Sequence, residues 1–421
     1  MRIGYCIAAF VLIGACAAQA QTPASYDAQI ESGDMPALAQ ALNRDDAPAA
    51  GRDWAGAMGR LALSSDYGDI DTVTTWLAQA DSLSPTRLRQ TFAALAERAF
   101  LETRYRDAAN ALEHVLALTD DETRRAEVAR DQALYRIASP VPPVSVSGAL
   151  GASVPITRDM ANQMRVDVGL AGTATVPMLV DTGAEISVIM DRHARAAGLR
   201  FLDGEVQVGT VTEDVTGRLA VAERVELAGV LIENLVFLVL PDDDLTFADG
   251  AYTADGILGL QAYAAVGHMA WSEGGTRLSF GTAAAPLEAT DPRLYWHSDG
   301  LGLEVWHGER AAGAFFDSGA SRTIFRPGLL PLLDASERAR LLASERTRGG
   351  LGGEEIIAIN QLDTLSLGIG GVELTYNELT IDPPEEDLPP GDIAAIGNDL
   401  IARADQVTLD FEAMRYRVVL P

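Results

Sequence analysis

In the stretch Pro177–Asp191, PMLVDTGAEISVIMD, an apolar run stops at Asp181 and resumes five residues later. Between the two apolar segments stand a hydroxyl residue, a glycine and an alanine. Burying a carboxylate among apolar side chains is costly unless the group is hydrogen-bonded or paired. The stretch therefore predicts a partner for Asp181 elsewhere in the chain.

The same pattern recurs at Ala314–Phe325, AFFDSGASRTIF, where Asp317 follows an apolar run and precedes a hydroxyl, a glycine and an alanine. Two hydrophobic residues and a glycine come later in each copy. Gly259 lies 78 residues after Asp181. Gly397 lies 80 residues after Asp317. With a β-type segment before each aspartate as well, the chain contains an internal duplication of about 130 residues per copy.

The remaining chain divides by its pattern. Residues 21–138 show helical spacing, clearest in Leu88–Leu118, where apolar residues recur at steps of three and four. This stretch is similar to one tetratricopeptide-type helical hairpin, although an arbitrary helical bundle fits equally well. Three prolines mark residues 139–150 as a linker. Short apolar or alternating runs then predict two β-rich units, 151–285 and 286–421.

The N-terminus is typical of an export signal. Residues 1–20 carry one arginine, a short apolar run and a small-x-small cleavage site after Ala20. We expect a protein of the bacterial periplasm or the exterior. The alternative is a membrane-anchored lipoprotein that faces the periplasm, with a lipid anchor at Cys16. Both cysteines, Cys6 and Cys16, lie in this segment, so the mature chain offers no cysteine nucleophile.

Composition excludes several kinds of chemistry. A net charge of -28 argues against nucleic acid as a partner, because phosphates are neutralised by a basic surface. The chain contains no lysine, which excludes Schiff-base and phosphate-loop lysines. The histidines form no metal-binding spacing, and no serine lies in a G-x-S-x-G turn. We therefore expect no metal and no cofactor.

The two D-[TS]-G-A strings, together with ILG and AIG, resemble the aspartic peptidases of the pepsin and retropepsin type. Alanine after the glycine resembles the retropepsin-type branch more than pepsin. The resemblance covers about residues 150–421. With the region before it, it implies a multidomain chain: an all-β bilobal aspartic-peptidase fold preceded by an all-α helical-hairpin domain.

The resemblance assigns a role to each residue of the pattern. Asp181 and Asp317 are the expected catalytic pair, which shares one proton and activates a water for attack on a peptide bond. The expected supporting residues of the two loops are Thr182, Gly183, Ala184, Ser318, Gly319 and Ala320. Gly259 and Gly397 are expected behind the loops, where they allow close backbone approach.

The sequence thus predicts an exported aspartic endopeptidase that acts on peptides or proteins as a monomer. The helical domain is expected to recruit a protein partner or substrate, or to restrain the enzyme. One alternative is a non-catalytic peptide-binding protein with the same fold, because the candidate flap, Glu205–Val225, contains no aromatic residue. Another is a scaffold in which the helical domain does the main work.

Overall fold

The computed structural model of the protein describes residues 26–43, 52–66, 68–80, 83–148, 151–172, 174–209, 214–247, 250–281, 286–297, 300–350, 353–384 and 389–421. The predicted signal segment 1–20 and the candidate lipid-anchor residue Cys16 lie outside these ranges. Among the described residues, no helix is long and apolar enough to span a membrane.

The described chain up to residue 138 is helical, as its apolar spacing predicts. The helices are α1 (Tyr26–Ser32), α2 (Met35–Leu42), α3 (Arg52–Leu63), α4 (Gly68–Leu77), α5 (Pro85–Leu101), α6 (Tyr105–Ala117) and α7 (Glu122–Ala138). The predicted hairpin is formed by α5 and α6, with Pro85 in the first turn of α5 and Ser84 as its N-cap. A tetratricopeptide-type character of this region stays a prediction.

A β-rich region follows. Its first half contains β1 (Ser145–Gly148), β2 (Ser153–Pro155), β3 (Thr157–Arg158), β4 (Met164–Leu170), β5 (Ala174–Val180), β6 (Ser187–Met190), α8 (Asp191–Ala196), β7 (Arg200–Phe201), β8 (Val206–Gly209), β9 (Asp214–Ala222), β10 (Val225–Leu227), β11 (Val230–Glu233), β12 (Leu235–Leu240), β13 (Thr246–Phe247), β14 (Tyr252–Thr253), β15 (Gly256–Leu258), α9 (Leu260–Val266), β16 (His268–Ser272) and β17 (Arg277–Phe280).

Its second half contains β18 (Leu294–His297), β19 (Gly300–His307), β20 (Arg310–Phe316), β21 (Ile324–Phe325), α10 (Ala335–Arg338), β22 (Leu342–Gly350), β23 (Gly353–Ile369), β24 (Val372–Ile381), β25 (Asp392–Ile396), α11 (Asp399–Arg403), β26 (Gln406–Asp410) and β27 (Arg415–Val419).

The two halves repeat one pairing scheme. In the first half the strand order β4-β5-β15-β6-β12-β9 places β15 parallel to β5 and antiparallel to β6. In the second half the order β19-β20-β25-β21-β24-β23 places β25 parallel to β20 and antiparallel to β21. The internal duplication read from the sequence is therefore present in the strand order of the described residues.

A separate sheet joins the two halves. Its order is β2-β17-β16-β26-β27, so strands from both predicted units hydrogen-bond to each other. The central pairing is between β16 and β26, where Trp271 lies opposite Val407. The division at residue 285 therefore does not separate two independently paired sheets. This sheet fixes how the two halves face each other.

The predicted linker 139–150 is partly built into the fold. Ser145–Gly148 forms β1, which pairs with β11 at the edge of the first sheet. Val144 is buried, and its backbone N–H donates to Thr103 Oγ1 at 2.7 Å. An apolar residue and a sheet edge with open hydrogen-bonding groups are enough to order this stretch despite its prolines.

The helices and the first half share one apolar core. Side chains of α3 to α7, such as Phe100, Leu112 and Tyr135, lie in one cluster with Val188, Leu219 and other residues of the first sheet. The outer face of that sheet is therefore covered by the helices.

Candidate active site

The two predicted aspartates stand at equivalent places in the two halves. Asp181 follows β5 directly, and its backbone N–H donates to Leu258 O of β15 at 3.2 Å. Asp317 follows β20 directly, and its backbone N–H donates to Ile396 O of β25 at 3.0 Å. In each half, an apolar strand and the parallel strand that precedes Gly259 or Gly397 thus position one aspartate at the end of a buried strand.

The loops after these strands bring the two carboxyl groups face to face. A Cβ atom added to Gly183 would lie 2.7 Å from Asp317 Cγ. A Cβ atom added to Gly319 would lie 2.5 Å from Asp181 Oδ2. Each loop glycine therefore leaves the space that the opposite carboxyl group occupies, and any larger residue would enter it. Asp181 and Asp317 themselves are half-buried.

Each carboxyl group also accepts hydrogen bonds from the backbone amides two and three residues later in its own loop. The donors are Gly183 N at 2.8 Å and Ala184 N at 3.2 Å for Asp181, and Gly319 N at 2.9 Å and Ala320 N at 3.0 Å for Asp317. These bonds fix one oxygen of each group, Oδ1, so that each carboxyl group is held in one orientation.

The proximity of the two groups changes their acidity. Burial raises the pKa of Asp181, and the negative charge of Asp317 raises it further. Burial also raises the pKa of Asp317, but hydrogen bonds from its loop amides and the positive charge of Arg326 act in the opposite direction. Two carboxylates this close do not both ionise readily, so the pair retains one proton at a pH where isolated carboxyl groups are charged.

Two hydroxyl groups tie the loops together. Thr182 Oγ1 donates to Phe316 O at 2.8 Å and accepts from Ser318 N at 3.0 Å. Ser318 Oγ donates to Val180 O at 2.9 Å and accepts from Thr182 N at 3.0 Å. Thr182 and Ser318 are fully buried, so each hydroxyl satisfies backbone groups that water does not reach.

The two predicted glycines lie behind the loops. A Cβ atom added to Gly259 would lie 2.6 Å from Ala184 O, and one added to Gly397 would lie 2.6 Å from Arg322 O. Both contacts are with backbone atoms, which cannot move aside as a flexible side chain would. The structure thus brings every predicted site residue into one arrangement, with these glycines allowing the backbone of each half to pass close behind its aspartate loop.

Sequence reasoning missed a second pair of hydroxyl residues. Ser187 Oγ accepts from Gly259 N at 3.0 Å, and Thr323 Oγ1 accepts from Gly397 N at 3.2 Å. Each stands six residues after its aspartate, in DTGAEIS and in DSGASRT. The signal was present in the duplication: the two copies share a hydroxyl residue at this position as well as the aspartate, hydroxyl and glycine.

The candidate flap is a strand pair in the described part of the chain. β8 pairs with β9 antiparallel from Val206↔Gly217 to Gly209↔Asp214, and residues 210–213 between them lie outside the described ranges. In the second half β22 pairs with β23 over nine positions, from Leu342↔Gln361 to Gly350↔Gly353. Ile356 on β23 is 73% exposed. Both halves thus carry a strand pair at the same place in the duplicated order.

Comparison with known proteins agrees with the first copy of the pattern. Residues 165–262 match a family model described as Aspartyl protease. The matched range includes the Asp181 loop and Gly259, and it ends before the second copy begins. No curated protein matches the chain. The match supports an aspartic-peptidase-like domain with a protease-like function.

Proposed function

We propose that this chain is an aspartic endopeptidase in which Asp181 and Asp317 together activate a water molecule for hydrolysis of a peptide bond. The observation that carries the proposal is the meeting of the two aspartate loops, with each carboxyl group facing the glycine of the other loop. The matched family model supports the reaction class.

The two carboxyl groups are proposed to act as one pair with complementary roles. Burial and proximity raise the pKa of both groups, so the pair holds one proton and one member is ionised while the other is protonated. The ionised group takes a proton from the water as its oxygen attacks the carbonyl carbon, and the protonated group donates its proton to the carbonyl oxygen, which gives a tetrahedral diol. The proton taken from the water then passes to the leaving nitrogen as the C–N bond breaks, and a diol hydroxyl returns its proton to the other carboxyl group, so no covalent enzyme intermediate forms.

The proposed substrate is an extended peptide or protein segment that lies between the two halves. Such a segment pairs its backbone with strand edges, and the strand pairs β8–β9 and β22–β23 stand at equivalent positions to cover it from both sides. Ile356 on β23 is exposed and offers an apolar contact from the second strand pair.

We further propose that the enzyme works as a monomer, because one chain supplies both aspartates. The N-terminal sequence favours export to the bacterial periplasm or the exterior after cleavage behind Ala20, with lipidation of Cys16 as the alternative. Mass analysis of the mature N-terminus distinguishes these two forms.

The test is cleavage of an unfolded protein by the purified mature chain. We expect cleavage that pepstatin inhibits and that falls by at least about a thousandfold in Asp181→Asn and in Asp317→Asn. Asp167→Asn, on the neighbouring β4 but outside the aspartate loops, is the matched control and keeps wild-type activity.

Full activity in both loop variants would overturn the proposal. Binding of the unfolded protein without cleavage, with the same affinity in the wild type and both variants, would instead favour the non-catalytic peptide-binding alternative.

A further inference from the structure

Gln261 connects the helical domain to the first aspartate loop. It lies two residues after Gly259, at the start of α9, and its side chain is fully buried. Gln261 Nε2 donates to Phe100 O at 2.6 Å, and Gln261 Oε1 accepts from Tyr105 Oη at 3.1 Å. Both ends of one amide are therefore held by the hairpin of α5 and α6, about 160 residues away in sequence.

The turn between α5 and α6 is itself fitted into the β-rich region. Thr103 in this turn is 1% exposed, and its Oγ1 accepts from the backbone N–H of Val144. Leu101 at the end of α5 belongs to the apolar core that the two sheets share. Because both of these contacts are buried, the turn is held as a fixed part of the fold, and the partners of Gln261 are fixed with it.

From Gln261 the connection reaches Asp181 through backbone contacts. Gln261 N donates to Glu185 O at 3.2 Å, and the preceding Leu260 N donates to Ala184 O at 2.7 Å. Ala184 N in turn donates to Asp181 Oδ1 at 3.2 Å. The helical hairpin, Gln261 and the loop that orients the Asp181 carboxyl group thus form one continuous series of hydrogen bonds.

The second half provides a comparison within the same molecule. Asp399 stands two residues after Gly397, as Gln261 stands two residues after Gly259. Asp399 Oδ1 accepts from Thr323 Oγ1 of its own aspartate loop at 2.8 Å. The corresponding side chain of the second copy is therefore bonded locally, whereas that of the first copy is bonded to the helical domain.

We infer that Gln261 is a positioning residue through which the helical domain holds the Asp181 loop in its working geometry. The helical domain is then a permanent support of the active site. Gln261 acts through the Asp181 loop without touching substrate. The catalytic side of this inference rests on the proposed function, but the structural side does not.

Hydrogen–deuterium exchange of the full mature chain tests whether Gln261 holds the Asp181 loop, and it requires no measurement of cleavage. We expect Gln261→Leu to speed exchange of the amides in residues 181–187 about tenfold, with residues 320–323 of the second loop, beyond the Thr182–Ser318 bonds, unchanged as an internal reference. The matched control is Gln132→Leu, which removes another buried amide, bonded to Ala109 O at 3.2 Å inside the helical domain. In Gln132→Leu we expect the ratio of the exchange rates in the two loops to equal that of the wild type.

A milder pair of variants keeps the test decisive if Gln261→Leu does not fold. Tyr105→Phe removes one hydroxyl from the series, and we expect a smaller increase in exchange at the same residues. Tyr416→Phe is its control, because Tyr416 is equally buried and its hydroxyl donates to Glu304 O at 2.7 Å, away from the loop. Unchanged exchange in residues 181–187, or equal acceleration in both loops, would overturn the inference.

Kinetics test the catalytic side. In Gln261→Leu we expect kcat to fall about tenfold while KM stays within about twofold, because a misplaced carboxyl group impairs the chemical step. Gln132→Leu keeps both constants. An unchanged kcat in Gln261→Leu would overturn the positioning role. A wild-type chain that cleaves nothing would overturn the proposed function instead, and the exchange result would still decide whether the helical domain holds the loop.

Discussion

At the scale of the residue, the site depends on small residues that allow two carboxyl groups to meet. The carboxyl groups of Asp181 and Asp317 approach because the loops carry glycines at Gly183 and Gly319, where any side chain would collide with the opposite aspartate. The loops stay together because buried hydroxyls reach across from one half to the other. Every one of these residues is polar or small, so none contributes by apolar packing.

The first prediction concerns the hydroxyl groups of Thr182 and Ser318, which bond across the two loops. Thr182→Val leaves Phe316 O and Ser318 N without their buried hydrogen bonds, so we expect the free energy of unfolding to fall by about 2–4 kcal/mol. Thr182→Ser keeps the hydroxyl and is the control. Denaturant unfolding measures both variants. Equal stability of Thr182→Val and Thr182→Ser would contradict the role given to the hydroxyl.

The paired carboxyl groups make a prediction about pH. The pKa of Asp181 in the folded protein is raised above its unfolded value, so the folded state binds this proton more tightly. The pair therefore costs stability as pH rises from the unfolded pKa through the raised one. Asp181→Asn removes that cost while keeping an oxygen for the loop amides.

We expect Asp181→Asn to be more stable than the wild type above the raised pKa, by roughly 1–3 kcal/mol, and to show no such gain at about pH 3. Thermal unfolding across the pH range measures this difference. A gain that does not vary with pH would show that burial of the side chain, and not its ionisation, is responsible.

At the scale of the element, each aspartate is placed by a strand order that the sequence partly predicts. The apolar runs before Asp181 and Asp317, and those before Gly259 and Gly397, predict strands, and the structure has them as β5, β20, β15 and β25. The parallel pairing of β15 with β5 could not be predicted from the two apolar runs, because periodicity does not specify which strands pair. Likewise, β1 formed inside a proline-containing stretch because the sheet edge beside it offered partners.

Another prediction concerns the base of the first flap, where α7 contacts β8. Helix α7 packs against β8, and a Cβ atom added to Gly204 would lie 2.8 Å from Ile137 Cδ1. Ile137→Asp places a charge in this apolar contact and displaces the flap base. We expect KM for peptide cleavage to rise several-fold with little change in kcat, and Ile137→Leu to behave as the wild type. A wild-type KM in the Asp variant would show that α7 does not position the flap.

At the scale of the whole molecule, the helical and β-rich regions are one packed body in the described residues. The duplicated motifs were sufficient to predict which residues the structure brings together, because each copy carries its own aspartate, hydroxyl and glycines. Neither the sheet that joins the halves nor the contact of Gln261 with Phe100 and Tyr105 was predictable. Both depend on residues far apart in sequence, with no repeated pattern to relate them.

A further prediction concerns the effect of removing the helical domain. Deleting residues 21–143 uncovers the apolar face of the first sheet, including Val188, Leu219 and Leu238, and removes the partners of Gln261. We expect the remaining chain to aggregate and to show no activity. Solubility and cleavage by residues 144–421 are the measurements. A soluble, active fragment would instead identify the helices as a detachable pro-segment or recruitment module.

Asp181 and Asp317 are proposed to hold one proton between them. Carbon-13 NMR of the labelled aspartate side chains across a pH titration measures this directly, with Asp181→Asn and Asp317→Asn used to assign the signals. We expect two coupled steps, the upper one well above the ordinary carboxyl pKa, and a single step once either partner is replaced. Two independent titrations near the ordinary aspartate pKa, each unaffected by loss of the other residue, would contradict the account.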